Sequence, residues 1–229
     1  MLLSRRGLLV AGAGVAVAGC ASGPQVAEIV SPEPVMLAAT PIPRQPVQAP
    51  PLDPRGLIPR DLREQAIEAL DRHAWSIPNR DRIYIVNFTN HSAEPRMFEL
   101  DVISGEARMF HTAHGVGSDP FHSGFAHGFS NIMDSNASSL GAYRTAGQGW
   151  GMRHGDNVLL DGLEESNNAA RDRAIIVHSA DYCEPEWLAR EGKLGRSFGC
   201  FATSRATLDY VRPRMDEGRL LYAARSLLT

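Results

Sequence analysis

The sequence lacks a bilayer-spanning run, a basic block, an internal repeat and an HExxH pair. A spanning helix needs about 20 apolar residues. The apolar stretch at residues 8–17 is half that length. The 23 basic residues are outnumbered by 26 acidic ones. Nucleic-acid binding therefore has no electrostatic footprint here. Without HExxH, and without an Asp or Glu at ligand spacing among His111, His114, His122, His127 and His154, no metal site is expected and no cofactor is implied. Cysteine is scarce: Cys20, Cys183 and Cys200 are too few for a disulfide scaffold, and their odd number needs a reason.

What is present begins with an export pattern. Ser4, Arg5 and Arg6 precede the apolar stretch, and Val17-Ala18-Gly19-Cys20 reads as a lipobox. Residues 1–19 are expected to be a signal peptide, cleaved to leave a lipidated Cys20. The twin arginines leave the choice between Tat and Sec export open. Ala21 is not an aspartate, which favours the outer membrane, on its periplasmic face. Residues 20–58 are crowded with proline and cannot bury much apolar surface, so an extended tether is expected.

Residues 59–229 carry the globular pattern, with a core at about 80–224. Asp61 and Glu64 look like an N-cap pair for a helix on which Leu62, Ala66, Ala69 and Leu70 share one face. Strand patterns follow at residues 82–88, 97–103, 107–113, 158–160, 173–177 and 219–224. Residues 114–157, rich in Gly, Ser, His and Asn, read as a long loop. Short helices are expected at residues 185–191 and after Thr203, which is placed to cap the second. The fold class is mostly β with a few short helices.

The chemistry gathers at Gly195-Arg196-Ser197-Phe198-Gly199-Cys200. Gly199 lets backbone N–H groups approach a ligand closely. Cys200, just before a helix, is expected near a positive helix end that favours its thiolate. The N–H groups of Gly199 and Cys200 are candidates for an oxyanion hole. His178, at the end of an apolar strand and followed by Ser179, is the candidate base. His114 and His154, each before a glycine, are candidates to line the cleft. Ser130, Asn131, Ser138 and Ser139 either bind a polar substrate or satisfy turns. Asp161 and Glu164 are a weaker acid–base pair, and Cys183 reads as a bystander thiol.

These pieces carry a resemblance. Phe129-Ser130-Asn131, Ser138-Ser139-Leu140-Gly141, His154-Gly155, Arg173 through His178 and the segment ending at Cys200 resemble the L,D-transpeptidase (YkuD-type) catalytic domain, in its murein L,D-transpeptidase branch. The resemblance implies a β-sandwich or open-barrel fold and a partner in peptidoglycan stem peptides. It implies Cys200 as nucleophile and His178 as its activator, with Ser179, Arg196, Ser197, His114, Ser130, Asn131, Ser139 and His154 as possible substrate contacts. The outcome is either transpeptidation or L,D-carboxypeptidase hydrolysis of one thioester; a non-catalytic wall-binding lipoprotein is the other alternative. The commoner family pattern has an arginine two residues after the cysteine. Here Ala202 stands there, and Arg196 or Arg205 is left to supply the charge.

Overall fold

The computed structural model describes residues 50–228; the export pattern, Cys20 and most of the proline-rich tether lie outside them. The last part of the expected tether is packed instead. Asp53 is buried and its carboxylate accepts the N–H groups of Leu57 at 3.0 Å and Ile58 at 2.8 Å. That turn delivers Ile58 to the core, so the globular part starts earlier than residue 59.

Helix α1 (Arg60–Arg72) buries Leu62, Ala66, Ala69 and Leu70, the face that its spacing marks out. Asp61 does not cap it. Pro59 occupies the cap position, and Asp61 accepts from Ser226 Oγ at 2.8 Å and the Leu227 N–H at 2.6 Å. The carboxylate sits inside the first turn and clasps the far end of the chain.

Eight strands form one mixed sheet: β1 (Arg82–Asn87), β2 (Met97–Asp101), β3 (Ala107–Phe110), β4 (Gly141–Gly151), β5 (Gly155–Gly162), β6 (Ile176–Ser179), β7 (Phe201–Thr203) and β8 (Leu220–Ala224). Their order is β3-β2-β1-β8-β4-β5-β6-β7. The pairs β1–β8 and β6–β7 are parallel; the rest are antiparallel. With α2 (Pro185–Glu191) and α3 (Arg205–Val211), the fold is mostly β with three short helices, as expected.

The long-loop expectation for residues 114–157 fails over its last third. There β4 and the start of β5 form a hairpin. Glycines in β4 hide the apolar alternation while leaving the ladder intact, and the register slips between Thr145 and Gln148 around Gly147, whose φ is +88°.

The sheet curls on itself. Phe201 of edge strand β7 stacks on Phe88, just after β1, with centroids 6.1 Å apart, and meets Tyr143 of β4 edge-on at 5.4 Å. The chain leaving the opposite edge strand, β3, runs back along β7: the Ala113 N–H donates to Ala202 O at 2.8 Å. It continues beside the cysteine segment, where Ser197 N–H donates to His114 O and Val116 N–H to Ser197 O. The two sheet edges are thus tied together beside the nucleophile candidate.

Candidate active site

Cys200 follows Gly199, whose φ of +113° is open to glycine and strained for any other residue. Within this turn Ser197 Oγ donates to Cys200 O at 2.7 Å and accepts the Gly199 N–H at 3.1 Å. One hydroxyl therefore pins both ends of the bend. The expected helix end is not beside the sulfur. Strand β7 intervenes, Thr203 is its last residue, and α3 starts at Arg205 with Ser204 as its cap, accepting the Thr207 N–H at 3.2 Å.

Parallel pairing sets His178 of β6 opposite Ala202 of β7. Cys200 stands just before β7, two residues ahead of Ala202. His178 and Cys200 line one cleft of about 740 Å³.

His178 is 1% exposed, and its Nδ1 lies 2.9 Å from Ser179 O. A carbonyl only accepts, so Nδ1 carries the proton and Nε2 keeps its lone pair. Nε2 is buried with no partner among the described residues. Burial pushes the imidazole down to about 4, against the Ser179 hydrogen bond and with help from His154 and Arg153. The ring is neutral at pH 7.

Burial also pushes the Cys200 thiol up; the N–H groups of Ile176 and of Cys200 itself, with Arg173 and Arg153, oppose the rise. The sulfur lies 3.5 Å from Ala174 O, a contact in which a thiol donates. The resting pair is thiol and imidazole, not the expected thiolate. Desolvation decides this, because no helix end is close enough to offset it.

The cleft also collects Ser179, Arg196, Ser197 and His154. His154 lies against His178, ring centroids 4.0 Å apart. Of the two expected oxyanion donors, the Gly199 N–H is committed to Ser197 Oγ.

His114, Ser130, Asn131 and Ser139 are elsewhere. His114 is 1% exposed, with Arg96 2.8 Å from Nδ1 and Asp119 3.2 Å from Nε2. Arg96 can only donate, so His114 Nε2–H donates to Asp119, and burial first, then Arg96, pushes the imidazole down to about 3. Ser130 O and Ser139 Oγ both accept from Arg173, at 2.6 and 3.4 Å. Ser139 Oγ also lies 2.6 Å from the Tyr143 hydroxyl. Asn131 ties Glu165 O, Asn168 and the Ala169 N–H together. These residues bond to neighbouring side chains and backbone and do not line the cleft.

The histidines outside the cleft bond to their own surroundings: His111 to Ala93 O, His122 to Leu194 O and His127 to Ser123 Oγ. Asp161 pairs with Arg144 and Arg171, and Glu164 with Arg72 and His73, so they do not form an acid–base couple. Cys183 is a free thiol buried with Ala113, Leu194 and Ala202.

A family model described as L,D-transpeptidase catalytic domain matches residues 57–224. The chain belongs to that family. Solved structures similar to it include an L,D-transpeptidase from Mycobacterium smegmatis, 12% identical over 63% of this chain and 58% of that one, with a TM-score of 0.38. Another, from Mycobacterium tuberculosis, is 15% identical over 63% and 58%, with a TM-score of 0.37. A third, from Xylanimonas cellulosilytica, is 16% identical over 70% and 69%, with a TM-score of 0.36. The chain spans 58% of the length of the two mycobacterial chains. No curated protein matches it.

In this L,D-transpeptidase domain three site features escaped the sequence reading. Arg173 fans onto the carbonyls of Ser130 and Ala137 and acts on the Cys200 sulfur. Arg153, one residue before His154, lines the cleft and stacks on Phe198 at 5.2 Å. The Ile176 N–H points at the sulfur. Arg173 heads the motif that ends at His178, which was a usable signal; the other two depend on how β4–β5 and β6 fold over the turn.

Proposed function

We propose that this protein is a cysteine L,D-transpeptidase acting on tetrapeptide stems of peptidoglycan through a thioester on Cys200. One observation carries the reading: a buried neutral imidazole, its Nε2 unpartnered among the described residues, lines the same cleft as the thiol. A base that must accept a proton near pH 7 needs a free lone pair, and a rigid strand end holds it in place.

The steps follow from that arrangement. Substrate displaces water, the Cys200 proton passes to His178 Nε2, and the sulfur attacks the carbonyl of the third stem residue. The oxyanion faces the Cys200 N–H; one such donor contributes about 3 kcal/mol. The C–N bond breaks, and His178 returns its proton to the amine of the departing D-alanine. An amine from a second stem then attacks the thioester carbonyl, the C–S bond breaks, and the amine's proton passes through His178 to the Cys200 sulfur, leaving a 3-3 cross-link and the free thiol. His178–Ser179 hydrogen bonding keeps the tautomer that both transfers need. The lipobox at Cys20 and the proline-rich tether support an exported, membrane-anchored enzyme reaching the wall from the outer membrane.

Incubation of the full chain with purified muropeptides, followed by intact-mass analysis, tests this. The expected result is an acyl adduct on Cys200, lost in Cys200→Ala, and cross-linked dimers as product. Full adduct formation in Cys200→Ala overturns the nucleophile, and trimmed tripeptides without dimers identify a carboxypeptidase.

A further inference from the structure

Three arginines line the cleft: Arg153, Arg196 and Arg205. Two are occupied. Arg196 donates to Asp119 O, and Arg205 lies 3.9 Å from the Asp181 carboxylate. Arg153 makes no hydrogen bond or ion pair among the described residues. Its guanidinium rests over the Phe198 ring at 5.2 Å, and that ring is itself 55% exposed. An aromatic ring holds the guanidinium without accepting a conventional hydrogen bond from it, and its N–H groups match a carboxylate in pairs. Of the carboxylates along the cleft, Asp156 is already paired with Arg212 at 3.1 Å, Asp181 faces Arg205, and Asp209 has no ion pair among the described residues, with Arg153 or any other cation.

Position on the cleft decides what this cation meets. The leaving-group side is marked by His178, which must protonate the departing amine. His154, stacked on His178 at 4.0 Å, is the next residue after Arg153. Arg153 thus stands at the tip of the β4–β5 hairpin on the side where the leaving residue sits. Phe198, its stacking partner, is two residues before Cys200, so hairpin tip and nucleophile turn are held together. In a stem donor the leaving residue is terminal, and its free carboxylate shares a Cα with the amine that departs.

We propose that Arg153 is the receptor for the free C-terminal carboxylate of the donor stem, replacing the charge absent at Ala202. The assignment rests on the stem-peptide reading above. It makes Arg153 a determinant of donor specificity: a leaving residue that carries a free carboxylate is taken, and one whose carboxylate is amidated is disfavoured. Phe198 holds the guanidinium in place without neutralising it, so the cation enters the complex with no ion pair to break.

The test compares a tetrapeptide stem ending in a free acid with the same peptide ending in a carboxamide, using the full chain and reading both turnover and the Cys200 acyl adduct. Wild type should favour the acid by about 10- to 100-fold in kcat/KM, the range for a charge-assisted hydrogen bond. Arg153→Ala should lower the value for the acid, mostly through KM, by that factor more than it lowers the value for the amide, and bring the ratio near one. Arg153→Lys should recover part of the preference. A matching thermal melt shows that the variant is folded. Retention of the acid preference in Arg153→Ala, equal loss on both peptides, or a selective loss that instead follows Arg196→Ala or Arg205→Ala overturns the assignment while leaving the enzyme reading intact. A wild-type chain acylated by neither peptide overturns both.

Discussion

His178 Nδ1 donates to the carbonyl of its own neighbour, Ser179, at 2.9 Å, and this bond leaves Nε2 as a bare lone pair at the cleft that Cys200 also lines. With both groups uncharged at rest, activation waits for the substrate. Alkylation by neutral iodoacetamide should then be slow at pH 7 and should rise with a midpoint above the ordinary thiol value of about 8.5. The measurement is a rate–pH profile at Cys200 by peptide mass spectrometry. A midpoint below 7 would show a thiolate–imidazolium pair and contradict the neutral resting state.

Ser197 Oγ spans the nucleophile turn, donating to Cys200 O and accepting from Gly199 N–H. Ser197→Ala removes both bonds and frees the Gly199 N–H. We expect kcat to fall by about 10- to 100-fold with little change in KM, because a small displacement of the sulfur acts on chemistry more than on binding. An unchanged kcat would mean that neighbouring backbone bonds alone hold the turn.

Gly199 adopts φ +113°, and a Cβ there would stand 2.8 Å from both Ala137 O and Ile175 Cδ1. Gly199→Ala should destabilise the domain by about 1–3 kcal/mol from backbone strain alone. Loss of the Cys200 adduct should accompany it. Chemical denaturation and adduct mass read the two effects separately.

Acid should unfold this domain through its buried imidazoles. An unfolded histidine titrates near about 6.5. In the fold His178 is pushed down to about 4 and His114 to about 3. Depressed values mean that the unfolded chain binds the protons first. The stabilising share of each is complete above the unfolded value and declines as pH falls toward the folded one. Below pH 6.5 stability should drop by up to about 1.4 kcal/mol per pH unit for each ring. Urea titrations between pH 7 and 4 measure it. His178→Gln should reduce the slope by roughly one ring's share, and an unchanged slope would show that His178 is not buried neutral.

Much of the fold was legible because period and composition are local. The β-branched and aromatic run of residues 82–88 and the one-sided face of α1 depend on near neighbours, and both appear where the pattern puts them. The β4 strand was not legible, since its glycines offer a ladder without a side-chain signal. Asp61 misled for a related reason. A carboxylate near a helix start suits a cap, yet the backbone of Leu227, remote in sequence, claims it.

The sequence by itself determined which groups can do chemistry: a cysteine after a glycine that can take positive φ, and a histidine closing an apolar strand. Tertiary structure decided their state and their company. Parallel pairing of β6 with β7 brought His178 and Cys200 to one cleft. Burial then set both proton affinities, and it runs against the thiolate that local sequence suggested. The same folding withdrew His114, Ser130, Asn131 and Ser139 into the supporting structure and brought Arg153 over Phe198 into the cleft. Desolvation and long-range strand register depend on residues far apart in the chain, which is why no local motif could state them.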